Sequence, residues 1–189
     1  MQLSKVAVLK GCGMEIGFYT ESEVQYTDYD FAARHVSASL AAMIVGACFE
    51  VDVEHIGSTA VTGCAGKGVV DLLVLSPAGS LRVACEALDR LGFQRQSGAD
   101  SFSETRPMRV GMVEYLGRMY RIHAHAVEAG SAEARDLVRF RDLLRANASL
   151  RRAYEMEKCK ILASGISHGS EYSKAKGEFI RRVLRADRF

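Results

Sequence analysis

The stretch HIGSTAVTGCAGKGVVDLLVL, residues 55–75, decides the fold. It opens on the end of a strand, suggested by the apolar Val51, Val53 and Ile56, with Asp52 and Glu54 on the other face from the two valines. Gly57-Ser58 then makes a Gly-rich turn. From Val69 to Leu75 the chain is apolar except at Asp71, which predicts a strand buried on both faces. An ionisable group in such a strand costs free energy unless something compensates it. Asp71 is therefore the leading candidate for function. A strand ending in Gly-Ser brings backbone N–H groups close to phosphate oxygens, and the Ser58 hydroxyl adds a donor. A carboxylate on the adjacent strand can hold a divalent cation over the same phosphates. The plainer alternative is an ordinary turn and a carboxylate hydrogen-bonded to loop N–H groups.

Outward from this stretch the periodicity switches. Phe31, Val36, Leu40 and Ile44 predict a helix from Tyr29 to about Ala47, with Asp28 or Asp30 as its cap. Pro77 and Gly79 end the central strand, and Ser80 is placed to cap a helix carrying Leu81, Cys85, Leu88 and Leu91. Residues 108–115 and 118–127, joined at Leu116-Gly117, predict an antiparallel hairpin. The remainder reads as three helices, opened by Ser131, by Asn147 or Ser149, and by Ser170. Residues 1–25 carry Gly11, Gly13 and Gly17 and fit either a short hairpin or an extension. The expectation is an α+β domain over 26–189, a mixed sheet flanked by helices, with a helical part from about residue 131.

Composition narrows the function classes. The 189 residues are 48% hydrophobic, enough for a substantial core. The formal charge of +2 gives no reason to expect general nucleic-acid binding. The five cysteines form no CxxC pair, which argues against a zinc knuckle and predicts free buried thiols. No segment approaches a membrane span, and a cytoplasmic location is expected. Nothing in the sequence specifies an oligomeric state.

His55-Ile-Gly-Ser-Thr-Ala-Val61, Gly63, Lys67 and Asp71 resemble the signature of GrpB-like proteins, a family in the same superfamily as DNA polymerase β and the minimal nucleotidyltransferases. The resemblance continues through His123-Ala-His125, Phe140-Arg-Asp-Leu-Leu-Arg-Ala146, Tyr154 with Lys158, and Lys176 with Phe179-Ile180. It implies a nucleotidyltransferase-like sheet. It also implies a nucleotide or other small phosphorylated ligand, and a divalent cation, Mg²⁺ or Mn²⁺. On this reading Gly57, Ser58, Thr59, Lys67, Lys158 and Lys176 contact phosphate, while Asp71, His123 and His125 ligate the metal or handle a proton. Lys158 and Lys176 would otherwise be surface charges on helices.

The departures are specific. The superfamily carries a second carboxylate two residues after the first, on the same face of the strand, and here that position is Leu73. The family's loop prolines are replaced by Thr62 and Gly68, which predicts a looser loop. Tyr29 stands where the family often has Trp. Arg106, Arg109, Arg118 and Arg121 read as solvated edge charges, one of which could reach a triphosphate. Phe140-Arg141-Asp142 with Arg145 reads as a packing and salt-bridge motif, with an anion-binding face as the minority reading. Glu54 is a further possible carboxylate, although strand alternation would point it away from the site. Two functions follow: metal-assisted transfer of a nucleotidyl group to an acceptor, or a nucleotide- or small-anion-binding protein with reduced catalysis.

Overall fold

The computed structural model describes residues 14–20, 25–96, 106–166 and 169–187. Gly11, Cys12, Gly13 and His168 lie outside them. Five strands form one sheet in the order β1-β2-β5-β4-β3. They are β1 (Asp52–Ile56), β2 (Val70–Ser76), β3 (Gln94–Arg95), β4 (Met108–Tyr115) and β5 (Arg118–Glu128). The β2–β5 pair is parallel and the other pairs are antiparallel, so the sheet is mixed as expected. The hairpin turns at Leu116 and Gly117, both with positive φ (51° and 73°). That is the pattern of a tight two-residue turn whose twist matches the flanking strands.

Alternation along the central strands sorts the two faces. Val70, Leu72 and Val74 of β2 join Ile122, Ala124 and Ala126 of β5 on one face. There they pack beneath α1 (Ala32–Ala47) and α2 (Leu81–Arg90) through Val36, Leu40, Ile44, Ala84 and Leu88. Asp30 supports α1 by accepting from the Ala32 N–H at 2.9 Å. Ser80 sits at the start of α2, but its side chain makes no cap bond.

The opposite face is divided. At one end Ile56, Leu73 and Val127 pack against Ala134 of α3 (Ala132–Ala146), with Leu75, Leu137 and Val138 around them. Ser131 caps α3 by accepting from the Ala134 N–H, and Asn147 caps α4 (Ala148–Ala163) by accepting from Leu150. Ser170 lies inside the first turn of α5 (Gly169–Ala186) rather than ahead of it. A second cluster, Val61, Cys64, Leu144, Tyr154 and Phe179, ties the residue 61–64 loop to α3, α4 and α5. The polar end of this face, bearing Asp71, His123 and His125, is left beside that helical layer.

Several expectations change. Arg109 is no edge charge: it is 1% exposed and paired with Asp89 at 2.5 Å. Arg118 binds Asp30, and Arg121 donates to the Lys67 carbonyl. Glu54 is level with Leu73 and His125 across the sheet, so it shares the face of Asp71 and does not point away. Its carboxylate is taken by Arg141, which also binds Asp142, bearing out the salt-bridge reading of that motif. The loop after the turn is held in place without its prolines. Thr27 and Gly66 exchange backbone hydrogen bonds of 2.7 and 2.9 Å, and Glu155 accepts from the Ala65 N–H. Cys48, Cys64 and Cys85 are free and buried, whereas Cys159 is free and exposed.

Leu73 is fully buried, at 0% exposure. Replacing it by Asp puts a carboxylate into an apolar cluster and removes packing there. Leu73→Asp is expected to lower unfolding free energy by about 4 kcal/mol or more, read from urea denaturation.

Candidate functional site

The β2–β5 register places Asp71 level with His123, and Leu73 level with His125. All four side chains share one face. The Asp71 Oδ1 lies 3.5 Å from His123 Nδ1 and 3.7 Å from His125 Nε2. These separations are longer than good hydrogen bonds. The three donor atoms lie within 4.8 Å of one another, close enough to share one cation at ordinary ligand distances. Asp71 remains a quarter exposed, so solvent and ligands can reach it. Burial raises its pKa, but the two facing imidazoles outweigh that and hold the carboxyl far below the usual range. His123 is pushed down, chiefly by burial and against the pull of Asp71, which favours the neutral ring that ligates metals.

The Gly-Ser turn fits tightly over this carboxylate. Gly57 has φ +73°, and a Cβ there would lie 2.3 Å from Asp71 Oδ2. Only glycine meets both demands. Ser58–Ala60 then forms one turn of 3-10 helix. Thr59 is buried, and its hydroxyl donates to the Val69 carbonyl at 3.0 Å. That leaves the same oxygen to accept from His55 Nε2 at 3.0 Å, fixing the neutral tautomer of His55. Burial brings His55 to about 4; Asp71 opposes the shift, and Arg145, Arg141 and Arg34 add to it. The Thr59 side chain is therefore structural, and any phosphate contact from this residue falls to its backbone N–H.

The three lysines separate into two roles. Lys158 is 1% exposed, and its ammonium donates to Ser58 Oγ (3.1 Å), to Cys64 Sγ (3.5 Å) and to the Ala65 carbonyl. An ammonium has three N–H donors, and all are engaged. Tyr154 lies under it at 4.6 Å. Lys158 is not a surface charge: its ammonium is committed to Ser58, Cys64 and Ala65. Lys67 and Lys176 instead flank the Tyr172 ring, at 5.2 and 4.5 Å from its centroid. Tyr172 is fully buried, and its hydroxyl has no hydrogen-bond partner among the described residues. Burial lowers both lysines; Asp71 pulls each back up, while Arg121 depresses Lys67 further and Lys67 depresses Lys176. Lys176 is brought to about 7.

One residue of the site lies in the segment that the sequence left unplaced. Gly17 pairs with Met112 on β4, and this docks Tyr19 so that its hydroxyl meets His123 Nε2 at 2.9 Å. Gln94 accepts from the Tyr19 N–H at 2.8 Å. No periodicity or motif around Tyr19 announces this role, since the contact spans 104 positions of sequence.

The profile describing GrpB protein matches residues 23–186. The chain belongs to the GrpB family. A UPF0157 protein of Streptomyces coelicolor is 34% identical over 85% of this chain and 82% of its own length. One from Vibrio cholerae is 31% identical over 96% of this chain and 88% of its own. The crystal structure of the conserved protein GrpB from Enterococcus faecalis superposes with TM-score 0.60 at 20% identity, covering 85% of this chain and 99% of that one. The α+β architecture expected from the sequence is thus the GrpB fold. No helix among the described residues is long and apolar enough to cross a membrane.

Lys176 offers a test of the anion contact expected from the sequence. At about one pH unit above its value of about 7 the ammonium is mostly neutral, and a bound anion restores the proton. Sulfate binding near pH ~8 is expected to take up protons. The calorimetric enthalpy should then vary with buffer ionisation enthalpy in the wild type, and not in Lys176→Met.

Proposed function

We propose that this GrpB-family chain binds a nucleoside triphosphate together with a divalent cation at Asp71, His123 and His125, and transfers a nucleotidyl group to an acceptor. The observation that carries the reading is the convergence on Asp71 of two imidazoles, a Gly-Ser turn and two lysines whose pKa values respond to its charge. A carboxylate and two histidines form a three-donor set with room for water or substrate oxygens. Imidazole nitrogen favours Mn²⁺ and later transition metals over Mg²⁺, so Mn²⁺ is the better match of the two expected ions. When bound, the cation supplies charge neutralisation at a phosphoryl oxygen.

The chain's own groups do the rest. The Gly57 and Ser58 N–H groups and the Ser58 hydroxyl orient phosphate oxygens, with Lys158 fixing the hydroxyl from behind. Lys67 and Lys176 offset the negative charge of the phosphates, and they repel each other less once an anion lies between them. Tyr19 holds the outer nitrogen of His123, leaving the inner one toward Asp71, the arrangement that orients a metal-ligating imidazole.

The second reading is a nucleotide- or small-anion-binding protein without turnover, and the observation favouring it is the buried Leu73. Phosphoryl transfer with two metals uses several anionic ligands, and among the described residues the group close enough to share one cation holds a single carboxylate, Asp71, with Glu54 taken by Arg141.

Calorimetric titration with Mn²⁺ checks the ligand set. Asp71→Ala is expected to weaken Mn²⁺ binding by roughly 100-fold or more, and unchanged affinity would overturn the assignment. Mn²⁺-dependent release of pyrophosphate from a nucleoside triphosphate selects the transferase. Mn²⁺-dependent thermal stabilisation by the nucleotide without pyrophosphate release selects the binding protein.

A further inference from the structure

A second basic site is built on the far end of the same turn. Arg34 of α1, Arg145 at the end of α3 and Arg151 in the first turn of α4 line a cavity of about 280 Å³ together with Ala60, Val61 and Thr62. Three separate elements thus deliver guanidinium groups to one small pocket. Arg145 is fixed there: its Nε donates to the Ala60 carbonyl at 3.0 Å, and one of its terminal nitrogens meets Asp142 at 3.2 Å. Asp142 is shared with Arg141, whose other carboxylate partner is Glu54. The carboxylates near the pocket are thereby spent on Arg141 and Arg145. Arg34 and Arg151 have no ion-pair partner among the described residues.

Three like charges facing one cavity repel one another, and two of them are uncompensated. Arg145 and Arg34 of this group also act on His55, where with Arg141 they reinforce the lowering caused by burial. Guanidinium forks match the oxygens of a phosphate group, which can accept from several of them at once. Thr62, exposed in the lining, adds a hydroxyl. The volume is ample for a phosphate with some of its hydration.

We propose that the Arg34–Arg145–Arg151 pocket binds the phosphate group of a small molecule, at a site distinct from the one around Asp71. The ligand class is a free phosphate ion or a phosphomonoester. Neither a metal nor Asp71 takes part, so the assignment stands or falls independently of the nucleotidyl-transfer reading.

The test is an NMR titration of the full chain with inorganic phosphate in metal-free buffer, following the backbone amides of Thr62 and Gly57 separately. The Thr62 amide is expected to shift saturably. Arg34→Ala/Arg151→Ala should weaken that response by roughly tenfold or more, while Lys176→Met leaves it in place. If the double variant does not give a folded spectrum, the single variants are read, and each should weaken the response by part of that amount. Competition by ribose 5-phosphate for the same Thr62 response, stronger or weaker than phosphate itself, tells a phosphorylated compound from the free ion. A Thr62 amide that stays still, that responds equally in the arginine variants, or that falls silent in Lys176→Met overturns the proposal.

Discussion

The parallel pairing of β2 with β5 is the constraint on which the rest of the site depends. Asp71 and His123 come from strands separated by α2, β3 and β4, and only the hydrogen-bond register makes them neighbours. Side chains alternate along a strand, so a slip of one residue in β5 would turn His123 and His125 into the apolar layer under α1 and α2. It would also turn Ile122 and Ala124 toward Asp71. The register is locked because each face has something to lose: Ile122, Ala124 and Ala126 are buried with Val70, Leu72 and Val74 on one side. The hydrophobic core therefore specifies the polar site that lies on its back.

Much of this was legible in the residues themselves. The apolar run around Asp71, the two glycine-marked turns and the helical periods fix the elements, because each depends on local chemistry. His-Ala-His is legible for the same reason, since residues two apart on a strand must share a face. The unread parts depend on contacts distant in sequence. Tyr19 reaches His123 only because Gly17 docks on β4, and Gly111 leaves room there for Ile16. Lys158 and Arg109 look like surface charges by composition, and become buried through partners on other elements: Ser58 and Ala65 for one, Asp89 for the other. The pocket lined by Arg34, Arg145 and Arg151 likewise draws on three helices, and no spacing in the sequence brings them together.

Electrostatics around the turn is asymmetric in a chain of nearly balanced charge. Lys67, Lys158 and Lys176 crowd one end and Arg34, Arg145 and Arg151 the other, while Asp71 carries the opposing charge within the first group. Aromatic rings carry part of the cost. The Tyr172 ring has two ammonium groups near it, and Tyr154 lies under a third. A cation held over a ring gains about 2 kcal/mol when desolvated. That is far from full solvation, so the turn stores a preference for anions before any ligand arrives.

The packing of Leu73 has a historical side. A carboxylate at this position can face a metal only if Ala134, Leu137 and Val138 stand away from the sheet, and here α3 is seated on it. Regaining the carboxylate would therefore require α3 to be repacked at the same time. Each of those changes taken alone opens a void or strands a charge, and neither improves ligation by itself. Such a sequence of steps behaves as a ratchet. A chain whose third helix has closed over this strand is committed to whatever chemistry Asp71 and two histidines can support.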